Sequence, residues 1–201
     1  MTQEAWLNIA AWLPCTEAEG PGRRAALWVQ GCDKRCPGCC NPQMLSFTTR
    51  ELVPAVDIVK RLEKARDAFG IEGVTFLGGE PMLQAQGLAQ VALGAQALGL
   101  TVMVFTGYTL DELQTLRPTD WQSLLDATDM LVDGPYLAKQ PDTQRRWIGS
   151  RNQEVHYLSA RYDAAIEQLP TEGRDIELRF GLDGAMRISG WPVRIVRPSR
   201  R

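Results

Sequence analysis

The chain has 201 residues, a formal net charge of −2 and a sequence pI near 5.5, with 44% apolar and 23% charged residues. That is the length and make-up of one ordinary globular domain with a real core and room for a small appendage. The charge balance excludes a broadly basic nucleic-acid surface, and no apolar stretch approaches the roughly 20 residues that cross a bilayer. Met1-Thr2-Gln3-Glu4 shows no basic region ahead of an apolar run, so the expectation is a cytoplasmic protein with neither membrane nor nucleic acid as a partner.

Residues 6–13 and 24–30 read as strands, separated by the turn-rich run 16–22, and a cysteine-rich loop occupies 31–42. Leu52, Val56, Val59, Leu62 and Phe69 recur near helical spacing and predict a helix over 51–68, which Gly70 stops. Residues 74–77 form a short apolar strand that runs into Gly78-Gly79-Glu80-Pro81, and a second helix is predicted over 82–98 with Pro81 near its first turn. A third buried strand covers 101–105, a helix begins at Thr109 with Asp111 and Glu112 in its first turn, and 130–133 is a fourth strand. Strands alternating with helices predict parallel βαβ units, in which ligands gather at the carboxyl ends of the strands. The cysteine loop, Gly78-Gly79-Glu80-Pro81, Thr106-Gly107-Tyr108 and Asp133-Gly134-Pro135 all follow strands and should share one rim. Beyond them, 176–180 alternates, Asp183-Gly184 is a hairpin turn signal and 186–189 returns antiparallel, ahead of an arginine-rich end expected to fray.

The five cysteines are an odd number, and four of them fall between positions 32 and 40. A secreted disulfide framework would be even and spread out, so the clustered thiols point to a metal site in a reducing compartment. Cys15 stands apart and reads as a small packed thiol. Cys32, Cys36 and Cys39 are spaced C-x3-C-x2-C, with Gly31, Gly38, Pro37 and Pro42 letting the backbone wrap one centre. Soft thiolates select zinc or iron–sulfur clusters. Structural zinc wants four ligands, commonly in two separated pairs, whereas a [4Fe-4S] cluster held by three cysteines keeps one iron open.

At these residues the chain resembles the radical S-adenosylmethionine (SAM) superfamily. The string Gly31-Cys32, Cys36-Pro37-Gly38-Cys39, Asn41-Pro42 resembles in particular the anaerobic ribonucleotide reductase activating proteins, which are glycyl radical enzyme activases. The run Thr16-x-Ala18-x-Gly20-Pro21-Gly22-x-Arg24 shares that likeness. It continues through Gly78-Gly79-Glu80-Pro81, Phe105-Thr106-Gly107-Tyr108, Val132-Asp133-Gly134-Pro135 and Gly149-Ser150-x-Asn152-Gln153. It spans about residues 5–157; Cys40 departs from it, standing where those proteins tend to carry an aromatic residue.

The resemblance implies an α/β fold, a partial (β/α) radical SAM barrel over residues 1–160, with 161–201 as a C-terminal extension carrying the hairpin. It implies a [4Fe-4S] cluster on Cys32, Cys36 and Cys39, and SAM held by Gly38, Cys40, Gly78, Gly79, Glu80, Thr106 and Asp133. A flavodoxin- or ferredoxin-like donor would supply the electron that cleaves SAM to a 5′-deoxyadenosyl radical, and that radical would take hydrogen from a glycine of an anaerobic ribonucleotide reductase. Each residue keeps a plainer alternative. The Gly-Gly turn, Thr106 and Asp133 can each serve the backbone alone, Ser150, Asn152 and Gln153 can fix a loop, and the lone His156 can be structural. The stretch 136–151, with Arg145-Arg146-Trp147, is either a docking surface or a solvated basic pair. Two other functions compete: a radical SAM enzyme acting on a peptide, nucleotide or small molecule, and a non-catalytic zinc-binding interaction module.

Overall fold

In a computed structural model, which describes residues 4–116, 118–142, 144–168, 176–180 and 186–190, the chain runs β1 (Trp6–Thr16), β2 (Arg24–Val29), β3 (Glu51–Pro54), α1 (Ala55–Phe69), β4 (Gly73–Gly78), α2 (Ala85–Ala97), β5 (Thr101–Phe105), α3 (Leu110–Leu116), α4 (Thr119–Asp126), β6 (Met130–Asp133), β7 (Glu154–Tyr157), β8 (Ile176–Phe180) and β9 (Met186–Gly190). One sheet takes the order β3-β1-β2-β4-β5-β6-β7. Strands β2, β4, β5 and β6 are parallel, β1, β3 and β7 join antiparallel, and β8 and β9 form a separate antiparallel pair. The α/β class, the parallel strands and the terminal hairpin stand as the sequence predicts. The hairpin's turn at Asp183-Gly184 and the arginine-rich end lie outside the described residues.

Local chemistry explains where the elements depart from expectation. Residues 51–54 are a strand rather than the start of a helix: Leu7 pairs with Val53 and Trp6 with Pro54. Pro54 is extended (ψ 141°), and the helix starts only at Ala55. The helix predicted over 82–98 opens with a 3-10 turn at Pro81–Gln84 before α2 begins. The helix from Thr109 is two, α3 and α4, with Pro118 capping the second. Strand β7 went unexpected because its four half-exposed residues carry no long apolar pattern.

The two faces of the sheet are covered differently. Leu27, Phe76, Val102, Val104 and Leu131 pack on the helices through Ile58, Leu62, Leu88, Leu113 and Leu124. The opposite face presents Ala26, Trp28 and Leu77 in one apolar cluster and Met103, Met130 and Val132 in another. Among the described residues no α-helix contributes to these two clusters, and this face receives the functional site.

At the amino end of β2, Arg24 is fully buried. Among the described residues its guanidinium has no carboxylate within bonding distance; it donates to Thr75 Oγ1 (2.9 Å), Pro21 O (3.1 Å), Thr101 Oγ1 (3.0 Å), Tyr162 Oη (3.1 Å) and Val74 O (2.8 Å). Burial pulls its pKa down, and this ring of oxygens is what makes a buried cation tolerable. The arginine thereby ties the loop after β1, two strands and the segment beyond β7 together.

Candidate active site

Parallel neighbours end side by side, so the loops after β2 and β4 meet at one rim. The backbone stitches them: Gly79 N donates to Val29 O (2.8 Å) and Glu80 N to Gly31 O (2.9 Å). Gly79 has to be glycine, because a Cβ there would stand 2.1 Å from Gly31 O. The turn Gly78-Gly79-Glu80-Pro81 is thus pressed against the residue that precedes Cys32.

Cys32, Cys36, Cys39 and Cys40 all line one open-sided cavity of about 1210 Å³, together with Gly78, Gly79, Glu80, Thr106 and Gly107. Within the cysteine loop, Cys39 N donates to Cys36 O (3.1 Å), and Asn41 N lies 3.4 Å from Cys39 Sγ. Burial pushes the Cys32 thiol up, partly offset by N–H groups of Arg35 and Lys34 that point at its sulfur. Cys40 donates its thiol proton to Cys39, which draws Cys39 down to about 6 and pushes Cys40 up. Among the described residues no three His, Cys, Asp or Glu side chains converge as one metal ion requires. Three thiols on the wall of one cavity are the donor set that a cluster with one open iron needs.

Glu80 is 1% exposed, and its carboxylate is engaged within the chain. Oε1 accepts from Met82 N (2.9 Å) and Thr106 Oγ1 (2.7 Å), and Oε2 accepts from Gly107 N (2.8 Å). Burial raises its pKa to about 7 against the pull of these three donors. Glu80 and Thr106 therefore form one bracket that locks the turn after β4 to the turn after β5. The loop residue Lys34 packs its stem on Gly107, sets its ammonium 3.4 Å from the Tyr108 ring centroid and approaches Glu112 at 3.8 Å. Tyr108 in turn donates to Asp33 (2.5 Å), which pins the cysteine loop to the start of α3.

Asp133, expected at the SAM site, has its carboxylate engaged within the chain. Its carboxylate accepts from Leu110 N (2.6 Å) and Glu154 N (3.2 Å) and lies 3.0 Å from His156 Nε2, so it staples α3 and β7 to β6 and does not line the cavity. Gly38 is also absent from the lining and faces Ala138 and Tyr136. Ser150 and Asn152 bond to the loop at Leu137 and Pro135, while Gln153 both lines the cavity and holds Gly134 O. Arg145 pairs with Asp142 (2.8 Å) and donates to Gln153 O and Arg151 O, so it braces its own loop. Trp147 packs on the apolar cluster of β5 and β6 and lines the cavity rather than standing outward.

Several residues that complete the cavity carry no motif: Trp28, Glu19, Tyr136, and Arg179, Phe180 and Ile188 of the hairpin. Lys34 was the one with a signal, since it lies inside the cysteine loop. The hairpin residues had none, because nothing local tells which element a two-stranded hairpin will face.

The family described as a 4Fe-4S single cluster domain matches residues 18–156. The anaerobic ribonucleoside-triphosphate reductase-activating protein of Escherichia coli strain K12 is 31% identical over 160 residues, covering 76% of this chain and 99% of its own length. Its namesake from Vibrio cholerae is 32% identical over 75% of this chain and 97% of its own, and that of enterobacteria phage T4 is 29% identical over 74% and 93%. A crystal structure of QueE from Escherichia coli shares 15% identity over 53% of this chain and 54% of its own, with a TM-score of 0.41, too partial a likeness to bear on function. No helix among the described residues is long and apolar enough to cross a membrane. With the cysteine loop and the glycine turn meeting at one rim, and sequence similarity running through both, the chain belongs to the anaerobic ribonucleoside-triphosphate reductase-activating protein family.

Proposed function

We propose that this protein is a radical SAM activase that installs a glycyl radical on an anaerobic ribonucleotide reductase. The observation that carries the reading is the stitching of the cysteine loop to Gly78-Gly79-Glu80-Pro81 across β2 and β4, on the wall of one cavity, in a chain of this family. Cys32, Cys36 and Cys39 would hold a [4Fe-4S] cluster, and the turn at Gly78 and Gly79 would hold SAM beside it. When bound, these two groups supply the one-electron chemistry, reductive cleavage of a sulfur–carbon bond of SAM.

The chain's own part is orientation. Glu80 fixes the SAM turn through Thr106 and Gly107, and Tyr108 with Asp33 and Lys34 fixes the cluster loop, so the two binding elements keep one spacing. Trp28, Leu77 and Phe105 give the cavity an apolar floor that limits water around the reacting groups. Residues 1–160 would form this catalytic unit, with 161–201 as an extension and a flavodoxin- or ferredoxin-like protein as the electron donor. The test is anaerobic mixing of the reduced, reconstituted protein with SAM and the anaerobic reductase of its own organism. A glycyl radical signal in electron paramagnetic resonance is expected. SAM cleavage without that signal would remove the activase reading and leave a small-molecule or peptide substrate.

A further inference from the structure

In the stretch 136–151 Arg145 braces its own loop and Trp147 lines the cavity, yet an activase must meet a protein at its cavity mouth. The C-terminal hairpin meets that need. Along β8, Ile176, Leu178 and Phe180 share one face, and the register places Ile188 opposite Leu178 and Met186 opposite Phe180, on the same side. All five are exposed, Phe180 by 75%, Leu178 by 54% and Met186 by 53%.

The other face is the anchored one. Glu177 accepts from Thr16 Oγ1 (2.8 Å) and Glu17 N (2.7 Å), and Arg179 donates to Cys15 O. At the end of β9, Gly190 N donates to Glu19 Oε1 (2.7 Å). Hydrogen bonds on one side thus set the hairpin with its apolar side outward, an arrangement that marks an interaction site rather than a stray surface leucine.

Two observations say what covers that side. Phe180 and Ile188 belong both to the exposed face and to the cavity lining, so the apolar face of the hairpin borders the cysteines' cavity. The cavity is open-sided there, so a segment of another molecule can reach it past the hairpin. The family match ends at residue 156, and the activating proteins it resembles are covered over 93–99% of their length by about three quarters of this chain. The hairpin is therefore what this chain adds at the mouth of a shared site.

We propose that the apolar face of the β8–β9 hairpin is the docking surface for the protein substrate, receiving aliphatic and aromatic side chains that flank the reactive glycine of the reductase. The proposal rests on the activase reading above. It makes the hairpin a determinant of which reductase is accepted, because shape and apolar match at a mouth decide affinity more than area does.

The test uses the full-length, cluster-loaded protein and its own organism's reductase under anaerobic conditions, with the dissociation constant read by sedimentation or interferometry. The double variant Leu178→Ser/Met186→Ser removes two exposed side chains that do not line the cavity. It should weaken reductase binding at least tenfold while cluster content and SAM cleavage without reductase stay at the parent level. Leu93→Ser, on the exposed side of α2, is the control and should bind like the parent; Leu178→Met/Met186→Leu should restore tight binding. Unchanged affinity in the serine double variant overturns the proposal. So does a parent protein that self-associates through this face and is made monomeric by the double variant, or one whose face is uncovered to a hydrophobic dye only by truncation after Gly190, since the occupant would then be a second copy or the chain's own end. A parent that binds the reductase but never forms the radical removes the activase reading and leaves the docking result standing on its own measurement.

Discussion

Glu80 sets up a pH dependence that can be worked from the structure. In the absence of SAM its carboxyl is held at about 7, raised from an ordinary 4.5, chiefly by burial. Below pH 4.5 the group is protonated in folded and unfolded chains alike, and above about 7 it is ionised in both. Between those limits the folded chain binds the proton more tightly, so folding stability falls as pH rises through the window. A shift of this size corresponds to about 3 kcal/mol in all. Glu80→Gln removes the titration and should flatten that slope. It also turns an amide N–H toward one of the donors that now face a carboxylate oxygen, so the variant should be less stable at pH 7.5 by about 1–3 kcal/mol. The assay is urea unfolding of the SAM-free chain between pH 4.5 and 8, reading the difference between parent and variant so that other titrating groups cancel. A difference that does not change with pH would refute the reasoning, because Glu80 would then be ionised in the fold at every pH tested.

The other expectations are more direct. Cys32→Ala, Cys36→Ala and Cys39→Ala should each abolish the iron–sulfur absorption band and SAM cleavage, while Cys15→Ala and Cys40→Ser keep both. Gly79→Ala, whose new Cβ would crowd Gly31 O, should lower SAM affinity at least about tenfold, read by equilibrium binding. Tyr108→Phe frees Asp33 and should make the reconstituted cluster more easily stripped by a chelator, while far-ultraviolet circular dichroism stays unchanged. Arg24→Ala strands the oxygens around it and opens a cavity, a loss of more than about 4 kcal/mol that should leave little soluble protein.

Much of the site was legible because its chemistry is written in short spacings. The cysteine loop and the Gly-Gly-Glu-Pro turn each lie within a dozen residues, and both follow apolar runs that could only be buried strands. What those residues touch was not legible. Glu80 reads as an exposed acceptor until Thr106 and Gly107, 26 and 27 positions away, arrive to claim both its oxygens. Asp133 is diverted in the same way by Leu110 and Glu154. Residues 51–54 looked helical because Leu52 and Val56 fit a helical period, but pairing with β1 outweighed that period. The hairpin was visible as alternation, yet which face would be held and which left open depended on Thr16, Glu17 and Glu19, more than 150 positions earlier.

The oxygen ring around Arg24 has a consequence for how the chain comes into being. Residues are made from the amino end, so β2 leaves the ribosome long before the last oxygen its arginine needs. Thr75 and Val74 come some fifty positions later, Thr101 at 77, and Tyr162 at 138. Until Tyr162 emerges, the strand that begins at Arg24 can settle at the middle of the sheet only by burying a cation whose shell is incomplete. At the 5–20 residues per second of bacterial-type synthesis this is a wait of seconds to tens of seconds. A product cut short before residue 162 thus lacks one of the oxygens that make the buried cation at the centre of the sheet tolerable.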